Sequence, residues 1–178
     1  MATPLAYFLT WTTYGTWLHG TGKGMGSVDA KHNEYGTPFV EPDSGRLQKE
    51  QTAMSQPAWL MDPPRRKVVR DAIIGICSEK GWNLRALHVR TNHVHVVVQA
   101  DREPGRLMSD LKARASRELN RAGLDEPTRK RWTRHGSTLH LFDAKTVEEK
   151  IRYTIDGQGT MMEWYKAPPS QEKEPRTK

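Results

Sequence analysis

The chain has 178 residues, with 28 Lys+Arg against 21 Asp+Glu, so its formal net charge is 28 − 21 = +7. That length suits one domain or one domain with a large insertion, and a mean hydropathy of −0.79 leaves apolar residues for one compact core. No apolar run approaches the ~20 residues of a membrane helix, nothing at the N-terminus reads as a signal peptide, and the lone Cys77 excludes an internal disulfide framework or a multi-cysteine zinc site.

Residues 6–13 (AYFLTWTT) are aromatic and β-branched and predict a strand. A Gly-rich, non-periodic stretch follows from Tyr14 to about Gln56. It reads as a long insertion that packs through Trp17, Tyr35, Phe39 and Trp59. Asp62 is a good N-cap, Pro63 and Pro64 suit a first turn, and Gly81 suits a C-terminal stop. Between them Val69, Ala72, Ile73, Ile76 and Cys77 recur at helical spacing. Residues 82–89 and 92–99 then predict two strands of a hairpin. A helix over 105–121 turns Leu107, Leu111 and Ala115 inward and leaves Lys112, Arg114, Arg117 and Arg121 in water. Residues 129–135 (RKRWTRH) form a basic loop, 136–142 a short strand, and a last helix starts near Ala144 and ends at Gly157 or Gly159. The polar tail from Ala167 is expected to be disordered, which makes residues 1–166 one domain. The resulting order is α+β: a ferredoxin-like split βαβ with a four-stranded antiparallel sheet and an added C-terminal helix.

The charge excess favours anionic partners, nucleic acid first, and the composition as a whole suggests a cytoplasmic protein. The most informative segment is NHVHVVV at 92–98. Side chains alternate across a strand, so His93 and His95 share one face, roughly 7 Å apart, while Val94, Val96 and Val98 face the other way. Two imidazoles side by side can share a divalent ion if a third ligand and open positions exist. His88, on the neighbouring strand, better suits a supporting role. In the last helix Val147, Ile151 and Ile155 recur every four residues, and at ~100° per residue Tyr153 projects away from that stripe, on the side of Lys150 and Asp156. An exposed tyrosine of this kind can attack a phosphodiester through its phenolate.

The strand YFLTWTTYGTW, the motif NHVHVVV and the late helix EEKIRYTIDGQG, in that order, give a chain that resembles the HUH single-strand tyrosine transposases: the enzymes of small insertion sequences and their REP-associated relatives. The resemblance implies cleavage and strand transfer on single-stranded or hairpin DNA, through a 5′-phosphotyrosine with release of a 3′-hydroxyl, using Mg²⁺ or Mn²⁺. It makes Tyr153 the nucleophile and His93 and His95 metal ligands, and it allows either a monomer or a homodimer. It also implies a third ligand about one helical turn after the tyrosine. Here the sequence departs, because Gly157 stands four residues on. Gln158 is preferred as that ligand and Asp156 is its competitor.

Lys112, Arg114 and Arg117 on the second long helix, with Arg131, Trp132 and Arg134 in the basic loop, are candidate DNA contacts: cations for phosphates and an indole for unpaired bases. Two other functions fit parts of the pattern. One is a relative that only binds DNA; the other is a metal-dependent phosphoesterase whose nucleophile is water rather than Tyr153.

Overall fold

The valines and histidines of residues 93–98 alternate as a central strand requires, and the sheet is built around them. The computed structural model describes residues 3–16 and 44–168. It places β1 at Ala6–Thr12, α1 at Ser44–Ala53, α2 at Pro63–Lys80, β2 at Asn83–Val89 and β3 at His93–Gln99. Next come α3 at Pro104–Arg121, β4 at Ser137–Leu141, α4 at Ala144–Asp156 and β5 at Glu163–Lys166. Among the described residues the sheet has five strands in the order β4-β1-β3-β2-β5, each pair antiparallel. β3 lies between β1 and β2, the two strands that α2 connects, which is the split βαβ arrangement.

Local chemistry explains most element boundaries. The Asp62 carboxylate accepts the Arg65 amide at 3.0 Å to start α2. Gly81 ends that helix with φ 67°, a left-handed conformation that glycine adopts without strain. The stripe Val69, Ala72, Ile73, Ile76 and Cys77 is buried, and burial pushes the Cys77 thiol up to about 12, which leaves it unreactive. One sheet face packs Leu9, Trp11, Val94, Val96 and Val98 under α2 and α3. The other packs Ala6, Ala86, Val97 and Leu141 under Val147, Ile151 and Ile155 of α4. No helix among the described residues is long and apolar enough to cross a membrane.

Three expectations need correction. The sheet has a fifth strand, β5, because the free edge of β2 recruits Glu163–Lys166, a segment too short and too charged to show a period. The stretch after β1 is not without regular structure, since Ser44–Ala53 is helical; its sequence SGRLQKEQTA offers no apolar stripe to read. Residues 54–59 return to the end of β1, where the Trp59 amide donates to the Tyr14 carbonyl at 2.9 Å. Trp59 is buried as expected, whereas Trp17, Tyr35, Phe39 and the tail at 169–178 lie outside the described residues.

The third correction concerns the basic loop, much of which is structural. Lys112 is only 9% exposed, and its ammonium donates to the carbonyls of Thr133 and His135 at 3.0 and 3.2 Å. Burial lowers its pKa to about 8. Arg131 is 4% exposed and donates to Asp125 at 3.3 Å and Asn120 at 2.7 Å. The Trp132 ring packs edge-on against Trp59 and Trp11, and its indole N–H donates to Ser116 at 2.9 Å. These three side chains hold the loop onto α3 instead of facing solvent. The cause is that the loop's carbonyls and the Asp125 carboxylate need buried donors, and nearby cations supply them. Arg114 is tied to Glu79 and Glu118, while Arg117 and Arg134 are exposed.

Asp125 joins this loop to α2, accepting from Trp59 at 3.2 Å and Arg65 at 2.9 Å as well as from Arg131. Burial works against its ionisation, but the hydrogen bonds from Arg65 and Trp59 and the Arg65 charge outweigh it and hold the carboxyl below its ordinary range. Its stabilising contribution is therefore present above the unfolded carboxylate pKa of ~3.9 and lost as the pH falls through its lowered folded value. Asp125→Ala leaves Arg131 buried and unpaired, so it is expected to cost about 3 kcal/mol in urea unfolding at pH 7. A loss under about 1 kcal/mol would show the cluster to be no stronger than a surface ion pair.

Candidate active site

β1 and β3 pair with Thr10 opposite His95 and Thr12 opposite His93, and this register builds the floor of the site. The His93 and His95 rings lie 4.8 Å apart between centroids. Each has its Nδ1 beside a side-chain oxygen: Asn92 Oδ1 at 2.7 Å from His93 and Thr10 Oγ1 at 2.8 Å from His95. The Asn92 oxygen only accepts, so His93 carries its proton on Nδ1 and presents a bare Nε2. Thr10 can accept from His95 in the same way. Metal-binding histidines are held by this kind of partner. Thr10 and Asn92 escaped the sequence reading; Asn92 stands next to the histidines, but Thr10 becomes visible only through the β1–β3 register.

Burial lowers the pKa of both rings, that of His95 to about 3 with the His93 charge as a further cause. Both are therefore neutral near pH 7. His88 is fully buried and bridges two elements: its Nδ1–H donates to the Thr154 carbonyl at 2.9 Å, and its Nε2 accepts the Met162 amide at 3.1 Å. It fastens the end of α4 and the start of β5 to β2, which is the supporting role expected of it.

Tyr153 is 38% exposed, but its ring does not point directly away from the sheet as the helical angle suggested. It sits edge-on to His95 at 5.7 Å and to Phe8 at 5.9 Å between centroids. Phe8 itself stacks on His95, so the exposed side chain leans over the lip of β1. The Lys150 ammonium lies 5.2 Å from the Phe8 centroid and 5.5 Å from that of Tyr153, a cation on two aromatic faces.

The end of α4 resolves the departure at position 157. The Gly157 amide donates to the Tyr153 carbonyl at 3.1 Å, and a Cβ built on Gly157 would stand 2.8 Å from that same oxygen. Only glycine lets the chain close this tightly under the tyrosine. The next residue is thereby turned to the sheet: Gln158 Oε1 lies 3.1 Å from His95 Nε2, and the Gln158 amide donates to the Tyr153 carbonyl at 3.3 Å. Asp156 is exposed and has no contact with either imidazole. Among the described residues no group of three or more His, Cys, Asp or Glu side chains is placed to hold a metal ion, so a cation here would rely on two imidazoles and one amide oxygen. His95 Nε2 and Gln158 Oε1 lie 3.1 Å apart, close enough that one divalent cation held there would meet both. Imidazole and amide-oxygen donors suit such an ion.

The description of the matching family model is "Transposase IS200 like", and the match covers residues 57–154, more than half of the 178. The chain belongs to the IS200-like transposase family. The matched span includes His93, His95 and Tyr153 and stops short of Gln158. A search of curated proteins finds no match. Among solved structures, the chain is similar to a REP-associated tyrosine transposase bound to a REP hairpin, at 11% identity and a TM-score of 0.45, covering 87% of this chain. It spans 66% of that protein's length. It is also similar to a candidate transposase of Deinococcus radiodurans R1, at 17% identity and a TM-score of 0.43, covering 86% of this chain and 90% of the other.

The lowered histidine pKa values set a pH dependence for the metal-free protein. Between the ordinary value of 6.5 and about 3, the unfolded chain binds a proton at His95 that the folded chain refuses. Stability is then fullest above pH 6.5 and falls as the pH drops through that window. Urea unfolding at pH 7 and pH 5 is expected to show that loss, with a smaller one in His95→Gln. An equal loss in both proteins would mean that His95 is not held neutral.

Proposed function

We propose that this transposase cleaves and rejoins single-stranded DNA through Tyr153, with His93, His95 and Gln158 holding Mg²⁺ or Mn²⁺. The observation that carries the reading is the convergence of the Tyr153 ring, both imidazoles and the Gln158 oxygen at the end of α4 in a chain of this family. In cleavage the Tyr153 phenol gives its proton to water and its oxygen attacks the scissile phosphorus. The P–O3′ bond breaks, the 3′ oxygen leaves and takes up a proton, and the 5′-phosphate stays on the tyrosine. One phosphodiester replaces another, so the free 3′-hydroxyl of a second strand can reverse the step without an energy source. A bound divalent ion would polarise a phosphate oxygen and orient the scissile bond.

The chain's own groups supply the rest. With a cation bound, Asn92 and Thr10 would hold the imidazole protons on Nδ1. Phe8 and Lys150 fix the plane of the phenol ring and place a cation beside the attacked anion. Tyr153 packs on His95 of its own chain, which supports action in cis in either a monomer or a homodimer. The basic surface, including Arg117 and Arg134, suits the phosphates of a strand or hairpin. A relative that only binds DNA would be expected to lack a side chain for the third position, and the contact of Gln158 with His95 weakens that reading.

The test is covalent trapping with single-stranded and hairpin oligonucleotides from the flanks of the transposase's own gene. With Mn²⁺ a protein–DNA adduct that survives denaturation is expected, absent with EDTA, in Tyr153→Phe and in His93→Ala. Binding without any adduct would leave only the DNA-binding relative, and cleavage persisting in Tyr153→Phe would assign the chemistry to water.

A further inference from the structure

Two arginines meet at the turn between β2 and β3, Arg90 in the turn itself and Arg66 on α2. Arg66, on the first turns of α2, donates to the Met61 carbonyl at 2.8 Å. Met61 in turn donates its amide to the Thr91 carbonyl at 2.8 Å, so the Arg66 guanidinium is anchored at the same turn as Arg90. Arg90 donates its backbone amide to the His93 carbonyl at 2.9 Å. Its guanidinium donates to the Thr160 carbonyl, also at 2.9 Å, two residues beyond Gln158. Each side chain is half-buried, and Arg66 Nε is buried with no hydrogen-bond partner.

Neighbouring arginines of α2 are not in this state. Arg65 has Asp62 at 2.5 Å and Asp125 at 2.9 Å, and Arg70 has Glu163 at 2.5 Å. The carboxylates next to the turn are therefore already taken. Among the described residues neither Arg66 nor Arg90 has a carboxylate within ion-pair distance. Burial and then the Arg66 charge lower the pKa of Arg90, and the Arg90 charge also disfavours protonation of His93 and His95. Two half-buried like charges side by side cost free energy unless an anion joins them, and a guanidinium fork is the group best shaped for a phosphate.

We infer that Arg66 and Arg90 form a phosphodiester-binding subsite at the β2–β3 turn, which grips the DNA strand beside the scissile phosphate. The inference rests on the proposed DNA substrate. Arg90 is fastened to Thr160, two residues beyond Gln158, so a strand gripped there would be held near Tyr153 with its register limited.

Two measurements test it. The first is the salt dependence of single-strand binding, by fluorescence anisotropy, in the wild type, Arg66→Gln, Arg90→Gln, the double variant and the exposed control Arg121→Gln. Each single variant is expected to lower the slope of log K against log salt by about 0.7 and the double variant by about 1.4. The second titrates inorganic phosphate into ¹⁵N-labelled wild type and reads the arginine Nε–Hε signals, with those of Arg66 and Arg90 expected to move together. DNA binding with unchanged slopes in both single variants would overturn the subsite and leave the transposase reading standing. No DNA binding in the wild type, with both Nε–Hε signals moved by phosphate, would overturn the DNA substrate and keep the anion site. Phosphate that moves neither signal would overturn the subsite.

Discussion

The apolar contact between α4 and one face of the sheet is the constraint on which the site depends. Val147, Ile151 and Ile155 press on Ala6, Ala86, Val97 and Leu141, and that contact sets the height of the helix above β1 and β3. The His93 and His95 side chains leave the sheet on this same face, just beyond Val97, so whatever follows Ile155 on the helix must pass over them. The packing thus makes one apolar layer serve two purposes: it buries the second core and brings a tyrosine and an amide to two imidazoles. His88 reinforces it with two hydrogen bonds, in a position where a charged ring would have to lose one of them.

The parts of this arrangement that were legible in the sequence are those governed by local rules. Alternation placed His93 and His95 on one face and the valines on the other. Capping by Asp62 and Gly81 bounded α2, and the four-residue stripe located α4. What could not be read depends on contacts between distant segments. Thr10 matters because it faces His95 across the β1–β3 ladder. Gly157 has no side chain to offer one turn after the tyrosine, and for that reason it lets the chain close under Tyr153 and brings Gln158 to His95. The tyrosine leans toward Phe8 and His95 because an aromatic edge prefers those rings to water, which a helical wheel does not express. β5 exists only because β2 offers it an edge.

The basic loop teaches a related point about charge. A run of cations with an interleaved tryptophan has the composition of a nucleic-acid contact, yet Lys112 and Arg131 spend their donors on buried carbonyls and a carboxylate, and Trp132 fills a gap between two other tryptophans. Fixed charge contributes to binding only where the fold leaves it free. By that criterion the electrostatic interest moves to Lys150 across two aromatic faces, and to Arg90 in the hairpin turn with Arg66 of α2, two residues unremarkable in the sequence.

The proposed chemistry needs His93, His95 and Gln158 to form one cation site at the foot of Tyr153. Pulsed EPR of the Mn²⁺-loaded protein reads this, because directly bound imidazole nitrogens couple to the electron spin. Two nitrogen couplings are expected in the wild type and one in His95→Ala. In Gly157→Ala, whose added Cβ would push Gln158 off its position, Mn²⁺ binding about tenfold weaker or more is expected. Mn²⁺ bound without nitrogen coupling, or with the same couplings after His95 is removed, would contradict the proposed site.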